Sequence, residues 1–366
     1  MVEWKKLGEV CQVLRGKRLT KSQLNEEKGF PVLHGGSTPM GYYTTFNRKA
    51  NTTVVVNTGN AGSVFFYDKE FWSSDACFSL YPNEEIIDKF LYLYVYGCER
   101  ILKGRIRAGA MPTIDSKAVE DLIIPIPSLQ EQERIVGILD TFTASIDNLK
   151  EQIAERRKQY EHYRDQLLNL EGKPGVEMVA MKDLFVIRNG YTPSKNHPEY
   201  WESGTLPWFR MEDIRQNGRI LSDSIQHITP LGVKKGGLFP ANSIIVATTA
   251  TIGEHALLIV DSLANQQFTF LTKCKSYDSK LNMKYMYYYM FIVDEWCKNN
   301  INVSGFASVD MDRFKKLQVP VPSLSEQQRI VSILDTFEAS ITNLEAQLRE
   351  REKQYEYYRN KLLTFE

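Results

Sequence analysis

The chain has 366 residues with 45 basic and 45 acidic side chains, so its formal net charge is zero and no global field draws it to nucleic acid or a lipid surface. Its 43% hydrophobic and 25% charged residues are ordinary for a globular protein. No apolar run approaches the roughly 20 residues that span a bilayer, and the opening Met1-Val2-Glu3-Trp4-Lys5-Lys6 is followed by no apolar core of a signal peptide. Five dispersed cysteines (Cys11, Cys77, Cys98, Cys274, Cys297) match reduced thiols in a cytoplasm better than a disulfide framework or a zinc site.

Residues 1–124 read as an α+β unit. Apolar, β-branched runs at 53–56 and 64–67 predict strands, and the pattern at 88–96 predicts a helix. Two basic stretches are free of acids. Arg15-Gly16-Lys17-Arg18-Leu19-Thr20-Lys21 falls in an expected loop, and Arg105 and Arg107 follow Arg100 and Lys103 around Gly104 and Gly109. Long cationic side chains beside glycines suit phosphate contact and the reading of guanine edges. A plain solvated face has the same composition, so a single such stretch decides nothing.

Residues 125–171 form the most informative segment, because residues 320–366 repeat them at a constant offset of 195, with 31 of 47 positions identical. Each copy opens with a Pro-x-Pro-Ser-Leu motif. The prolines end a strand, and Ser128 or Ser323 can cap a helix. Apolar residues then recur in heptads. Leu139, Ile146, Ile153, Tyr160 and Phe142, Leu149 mark the seam in the first copy; Leu334, Ile341, Leu348, Tyr355 and Phe337, Leu344 mark it in the second. Arg156 and Arg351 interrupt the two seams at equivalent places, as a register-fixing polar residue would. A helix of about 40 residues is roughly 60 Å long. Two copies on one chain favour pairing within the molecule over a zipper between separate molecules.

The breakers of Glu171-Gly172-Lys173-Pro174-Gly175 open a linker at residues 172–177. A second α+β unit follows at 178–319, with strands expected at 243–246 and 256–260 and a helix at 283–296. It brings its own scattered cations: Arg188, Lys195, Arg210, Arg215, Arg219, Lys234 and Lys235, near Gly190, Trp201, Trp208 and Gly218. Charge is segregated along the chain. Residues 129–171 carry 6 basic and 9 acidic side chains and residues 324–366 carry 6 and 8, whereas residues 1–128 hold 16 against 14 and residues 172–323 hold 17 against 14. The globular units take the basic excess, and its recurrence in both strengthens the reading as nucleic-acid contact.

Catalytic signatures are missing. There is no phosphate loop, since Gly59-Asn60-Ala61-Gly62 lacks the lysine. There is no Asp/Asn-Pro-Pro-aromatic tetrad for transfer of a methyl group to an amine. The five histidines show no metal-binding spacing, and Glu26-Glu27-Lys28 lacks the partner acid of a nuclease. Catalysis by this chain is not expected.

Taken together, the residues resemble the specificity subunit of type I restriction-modification enzymes across essentially the whole chain. The strongest marks are the two repeated helix openings, which run from Pro-x-Pro-Ser-Leu through Glu131-Gln132, Arg134-Ile135-Val136 and Ile138-Leu139-Asp140, and through Glu326-Gln327, Arg329-Ile330-Val331 and Ile333-Leu334-Asp335. Gly190-Tyr191-Thr192-Pro193-Ser194, Glu199-Tyr200-Trp201, Gly204, Pro207-Trp208 and Asp213 look like that family's common opening of a recognition domain. The first half departs from this opening, and its Gly29-Phe30-Pro31-Val32-Leu33-His34-Gly35-Gly36 and Gly41-Tyr42 are similar to another subtype.

The resemblance implies an α+β chain with two target-recognition domains (1–124 and 178–319), separated by two long helices (125–171 and 320–366) paired as an antiparallel intramolecular coiled coil with pseudo-two-fold symmetry. Each domain would read one half of a split double-stranded DNA target. Two modification subunits would dock on the repeated segments, through Glu131, Gln132, Arg134 and Asp140 and their counterparts Glu326, Gln327, Arg329 and Asp335, and restriction subunits would join them. S-adenosylmethionine, ATP and magnesium would belong to those partners, with no cofactor on this chain. The competing reading is a duplicated coiled-coil scaffold that never touches DNA.

Overall fold

A computed structural model of the chain describes residues 2–107, 109–302 and 307–365. By contact the chain divides into two compact units, residues 1–152 with 344–366 and residues 153–343. The divisions fall inside the long helices, because each helix gives its first half to the recognition fold it follows and its second half to the other unit.

In the first unit, Cys11–Arg15, Cys77–Pro82, Thr52–Val56 and Val64–Tyr67 form an antiparallel sheet in that order. The continuous apolar run at Thr52–Val56 is buried at every position. A smaller mixed sheet places Phe30–Leu33 between Pro39–Tyr43 and Trp72–Ser73, parallel to the latter. The helix Asp88–Gly97 lays Phe90, Leu91, Leu93 and Val95 into the core formed with Val55 and Leu80.

The second unit repeats this plan with additions. Its main sheet runs Phe185–Asn189, Phe268–Lys273, Ser243–Ala247, His255–Leu258 and Ile220–Leu221, the last pair being parallel. The smaller sheet is His227–Ile228, Leu206–Phe209 and Leu263–Ala264. The strand expected at 256–260 stops at Leu258, and Ile259 leaves the sheet exposed. The expected helix is Met283–Asn299, capped by Asn282, whose side chain accepts from the backbone of Lys284 and Tyr285.

A two-stranded ribbon ties each unit's start to the foot of its long helix. Glu3–Lys6 pairs with Ile123–Ile126, and Glu177–Ala180 with Gln318–Val321. Pro125 and Pro320 are tolerated there because a ribbon of two strands has free edges. The chain then turns through Pro127-Ser128 or Pro322-Ser323, and the serine Oγ accepts the N–H of Glu131 or Glu326 at 3.3 Å in both copies. That cap satisfies one of the donors a helix start leaves open.

The long helices are Leu129–Leu168 and Leu324–Leu362. In the first unit Phe142 stacks on Tyr358 at 5.2 Å and Lys150 reaches Glu352 at 4.0 Å. In the second, Tyr163 stacks on Phe337 at 5.4 Å and Tyr160 donates to Glu338 at 3.2 Å. Numbers rise along one helix as they fall along its neighbour, so the pairing is antiparallel in each unit. The heptad positions divide by task. Leu139 and Leu334 are fully buried in the cores of the recognition folds, Ile146 and Ile153 are each 8% exposed, and Leu149, Ile341, Leu344, Leu348, Tyr160 and Tyr355 are half-buried. Arg156 and Arg351 do more than interrupt a seam. Their guanidinium groups lie over the rings of Phe337 at 5.8 Å and Phe142 at 5.6 Å. Among the described residues no helix is long and apolar enough to cross a membrane.

Candidate nucleic-acid interface and docking grooves

The sheets bring the same set of loops to one end of each recognition fold. In the first unit the loop after Arg15 crosses the turn at Ser73–Asp75. Lys17 N donates to Ser73 O at 2.9 Å, and Arg15 Nε donates to Asp75 O at 2.9 Å. Gly16 is required at the crossing, because a Cβ there would lie 2.1 Å from Ser74 O. Gly190 does the same in the second unit, where a Cβ would lie 2.3 Å from Ala264 O. His34 Nδ1 meets Ser74 Oγ at 2.8 Å, and Thr58 bridges to Thr113, so the neighbouring loops join this rim.

The first-unit cations sit on that rim. Arg15, Lys17, Arg18 and Lys21 are exposed on one loop, whose shape is held by Trp72 Nε1 donating to Lys17 O at 2.7 Å. A residue that the sequence did not single out completes the loop. Half-buried Arg48 donates to the carbonyls of Arg15 at 2.9 Å and Asn47 at 2.7 Å. Nothing in Phe46-Asn47-Arg48-Lys49 marks that arginine as a clamp, since the acceptors are backbone groups brought in by folding. Arg105 and Arg107 are exposed but partly engaged: Arg105 donates to Ala118 O at 2.6 Å, and Arg107 pairs with Asp115.

In the second unit folding gathers Arg188, Lys234 and Lys235 into one patch. The Arg188 guanidinium lies over Phe239 at 4.5 Å and donates to Gly236 O at 3.4 Å. Lys234 Nζ lies over the Tyr191 ring at 4.4 Å, and its backbone N–H donates to Tyr191 Oη at 2.7 Å. Lys195 and Arg215 are exposed elsewhere, and Arg210 lies over Trp208 at 5.7 Å. Arg219 departs from its expected role. Its Nη1 donates to His255 O at 3.1 Å and lies 3.5 Å from Asp294 Oδ2, and its Nη2 pairs with Glu254. His255 is fully buried and 2.6 Å from the same Asp294 oxygen. The parallel pairing of Ile220–Leu221 with His255–Leu258 draws Arg219 onto this internal network.

Along the helices, Gln132 and Gln327 are not docking groups either, for both are fully buried. Gln132 Oε1 accepts from Ile87 N at 2.9 Å, and its Nε2 donates to Glu85 O at 2.8 Å and Pro127 O at 3.0 Å. Gln327 repeats this with Asn282 N, Lys280 O and Pro322 O, all at 2.8 Å. Asp140 and Asp335 pair with Lys89 at 3.4 Å and Lys284 at 2.9 Å. Glu131 and Glu326 hold Arg134 and Arg329 through bidentate contacts on an open surface, which lower the carboxyl pKa values below the usual range.

Arg329 edges a groove that the heptad reading missed. In the second unit Arg156, Gln159, Tyr163, Leu167, Ile333 and Phe337 line a cavity of about 740 Å³ together with Arg329. The first unit sets the same residue types in the same contacts, with Tyr358 stacked on Phe142 and Arg351 over the Phe142 ring. Tyr163 and Tyr358 are 46% and 40% exposed, so each unit presents an aromatic ledge beside an arginine.

The family model for the type I restriction modification DNA specificity domain matches residues 1–156 and again residues 174–352. The chain belongs to that family, and its role is that of the DNA-specificity subunit of a type I restriction-modification system. Among individual relatives it is similar over its whole length to the EcoR124I/EcoR124II specificity subunit of Escherichia coli, at 32% identity over 391 residues covering 100% of this chain and 94% of that protein. It is 50% identical over 201 residues to the EcoprrI specificity subunit of Escherichia coli, a match spanning 52% of this chain and only half of that relative's length. The solved S subunit of a type I system from M. genitalium shares the fold with a TM-score of 0.63 at 17% identity, covering 100% of this chain and 97% of that one. A chain from a structure of type I complex assembly and conformational transition gives 0.64 at 18% identity, covering 99% and 96%.

Proposed function

We propose that each recognition fold, 1–124 and 178–319, reads one half of a bipartite duplex DNA target, and that the repeated helices dock two copies of a modification subunit, with restriction subunits joining that assembly. One observation carries this reading. The aromatic–arginine groove recurs in both units with matching residues and contacts, whereas the loop rims differ in nearly every side chain. Equal grooves suit equal partners, and unequal rims suit unequal half-sites. Arg15, Lys17, Arg18 and Lys21 in one unit, and Arg188, Lys195, Lys234 and Lys235 in the other, would meet phosphates, with Arg105, Arg107, Arg210 and Arg215 as further contacts. Phosphate contacts fix register, and base edges give sequence. Methyl donor, nucleotide and magnesium chemistry would reside on the partner subunits, so the isolated chain should neither methylate nor cut DNA.

The test is an exchange of residues 178–319 for another recognition domain, followed by sequencing of methylated adenines in cells holding the partner subunits. One half of the target should change and the other persist. Simultaneous change of both halves would sink the two-reader model, and methylation by the purified chain alone would sink the division of labour.

A further inference from the structure

The repeated helices are not identical, and their differences are not spread evenly around the pair. Sixteen of the 47 aligned positions differ. Four of them, Thr143, Asp147, Lys150 and Glu352, line one cleft of about 1070 Å³ that lies entirely within the first unit. Its walls are the recognition-fold helix Asp88–Gly97, the stretch of the first long helix from Asp140 to Lys150, and the turns from Glu352 to Arg359. The groove described above is lined by residues that both copies share, except Gln166, whose counterpart is Lys361.

The cleft is aromatic and acidic. Phe66, Tyr92, Tyr96 and Tyr355 supply rings. Six carboxylates face three cations, and each cation is already engaged. Lys89 pairs with Asp140 at 3.4 Å and lies over Phe66 at 4.9 Å, Lys150 pairs with Glu352 at 4.0 Å, and Arg359 lies over Tyr96 at 5.7 Å and Tyr355 at 5.9 Å. Asp68, Asp88, Asp147 and Glu356 have no cationic partner among the described residues. Burial pushes the Asp88 carboxyl upward, as expected of an acid whose charge is not compensated.

The second unit fills the corresponding place. Leu93 and Thr143 are replaced by Tyr288 and Glu338, and Tyr288 Oη lies 2.5 Å from Asp335 and 3.0 Å from Glu338. Arg164 lies over Phe291 at 4.8 Å as Arg359 does over Tyr96, but the counterparts of Asp88, Asp147 and Glu352 are Met283, Thr342 and Arg157, a loss of acids that exceeds by one charge the gain at Glu338 and at Glu345, the counterpart of Lys150. The pseudo-two-fold is therefore broken here.

We propose that the first-unit cleft binds a lysine- or arginine-bearing segment of a partner protein, once per chain. Unpartnered carboxylates give charge complementarity, and the aromatic wall gives the methylene stems of long cationic side chains an apolar surface. A volume of about 1070 Å³ lies at the upper end of small-molecule pockets, which suits a peptide segment better than a metabolite. Such a site would let an assembly with two equal modification subunits hold a third contact on one side only. Occupancy of the cleft requires no bound DNA.

The experiment is a titration of the full chain, without DNA, by a fluorescently labelled deca-lysine peptide, read by anisotropy. Binding should saturate at one peptide per chain and weaken about tenfold when Asp88→Asn, Asp147→Asn and Glu356→Gln are combined, the sum of three partly exposed ion pairs. A control combination of Glu26→Gln, Glu27→Gln and Asp312→Asn should leave it unchanged. The pair Leu93→Tyr with Thr143→Glu, which installs the second unit's filling, should also abolish binding although it adds a negative charge. Equal loss in the control would overturn the proposal as nonspecific attraction, as would failure to bind at all. Equal affinity for spermidine would assign the cleft to a small polyamine instead and overturn the peptide reading.

Discussion

Replacing Gln327 by alanine should destabilise the second unit by about 3 kcal/mol, although an exposed polar residue on a helix would cost almost nothing. Its side-chain amide is fully buried and makes three hydrogen bonds at 2.8 Å, accepting from Asn282 N and donating to Lys280 O and Pro322 O. Each hydrogen bond contributes about 1 kcal/mol net, and a buried group left without a partner costs about 1–3 kcal/mol. Three orphaned backbone groups therefore give roughly 3 kcal/mol even after partial rescue by water. Gln132→Ala should cost a similar amount in the first unit, where the partners are Ile87 N, Glu85 O and Pro127 O. Urea unfolding followed by circular dichroism and by fluorescence would measure each loss. The two should add within about 0.5 kcal/mol because the sites share no partner. Gln327→Glu should be worse than alanine near neutral pH, since it turns a carboxylate oxygen towards two carbonyls. A loss below about 1 kcal/mol for either alanine variant, with impaired binding of a modification subunit, would refute this account and return the glutamines to a docking role.

Three further outcomes rest on individual side chains and on the helix length. Glu338 is held above the ordinary carboxylate range by burial, against the opposing effect of hydrogen bonds from Tyr288 and Tyr160; a raised carboxyl favours the fold at low pH and loses that contribution as pH rises through the raised value, so Glu338→Gln should flatten the second unit's loss of stability above about pH 4.3 and leave acidic stability unchanged, as thermal melts across pH would show. Neutralising Arg15, Lys17 and Arg18 together should weaken DNA binding and reduce the magnitude of the log–log salt slope by about 0.9 for each phosphate no longer neutralised, and an unchanged slope would move that loop away from DNA. Inserting one heptad between Leu149 and Tyr160 and another between Leu344 and Tyr355 adds about 10 Å of helix, or about three base pairs, so methylome mapping should find a longer unread spacer between unchanged half-sites; an active enzyme with the old spacer would show that the helices do not set the distance.

The helices and their antiparallel pairing are legible in the sequence because they rest on local signals: a proline stop, a serine cap, a heptad repeat and a duplicated segment. The strand runs are legible for the same reason, with shifts of a residue or two where a ladder ends. Exposure is legible where a side chain stays in its own loop, as with Arg15, Lys17 and Arg18. The ion pairs of Arg219 are not legible in the sequence, because His255 and Asp294 lie 36 and 75 residues away and reach it only through a parallel strand pair and the helix packed on it. Arg48 escapes notice because its acceptors are carbonyls, which carry no sequence signature. The glutamines look like surface residues on a helical wheel until the recognition-fold helix is seen to begin against them.

That last contact bears on why recognition domains could be exchanged at all. Beside the apolar packing of Leu139 and Leu334, the joint between each recognition fold and its long helix is made by one glutamine side chain against main-chain groups, Ile87 N and Glu85 O in one unit and Asn282 N and Lys280 O in the other. Side chains at these partner positions differ completely, yet the hydrogen bonds are the same, because every residue except proline offers an N–H and every residue offers a carbonyl. The lysine–aspartate pairs beside the joint, Lys89 with Asp140 and Lys284 with Asp335, are a charged side-chain contact repeated there in both units. A helix that recognises a backbone shape accepts any domain that begins its own helix in the same place, whatever bases that domain reads. Divergence of the rims and constancy of the joint are thus compatible, because the polar part of the joint rests on main-chain groups that any sequence supplies.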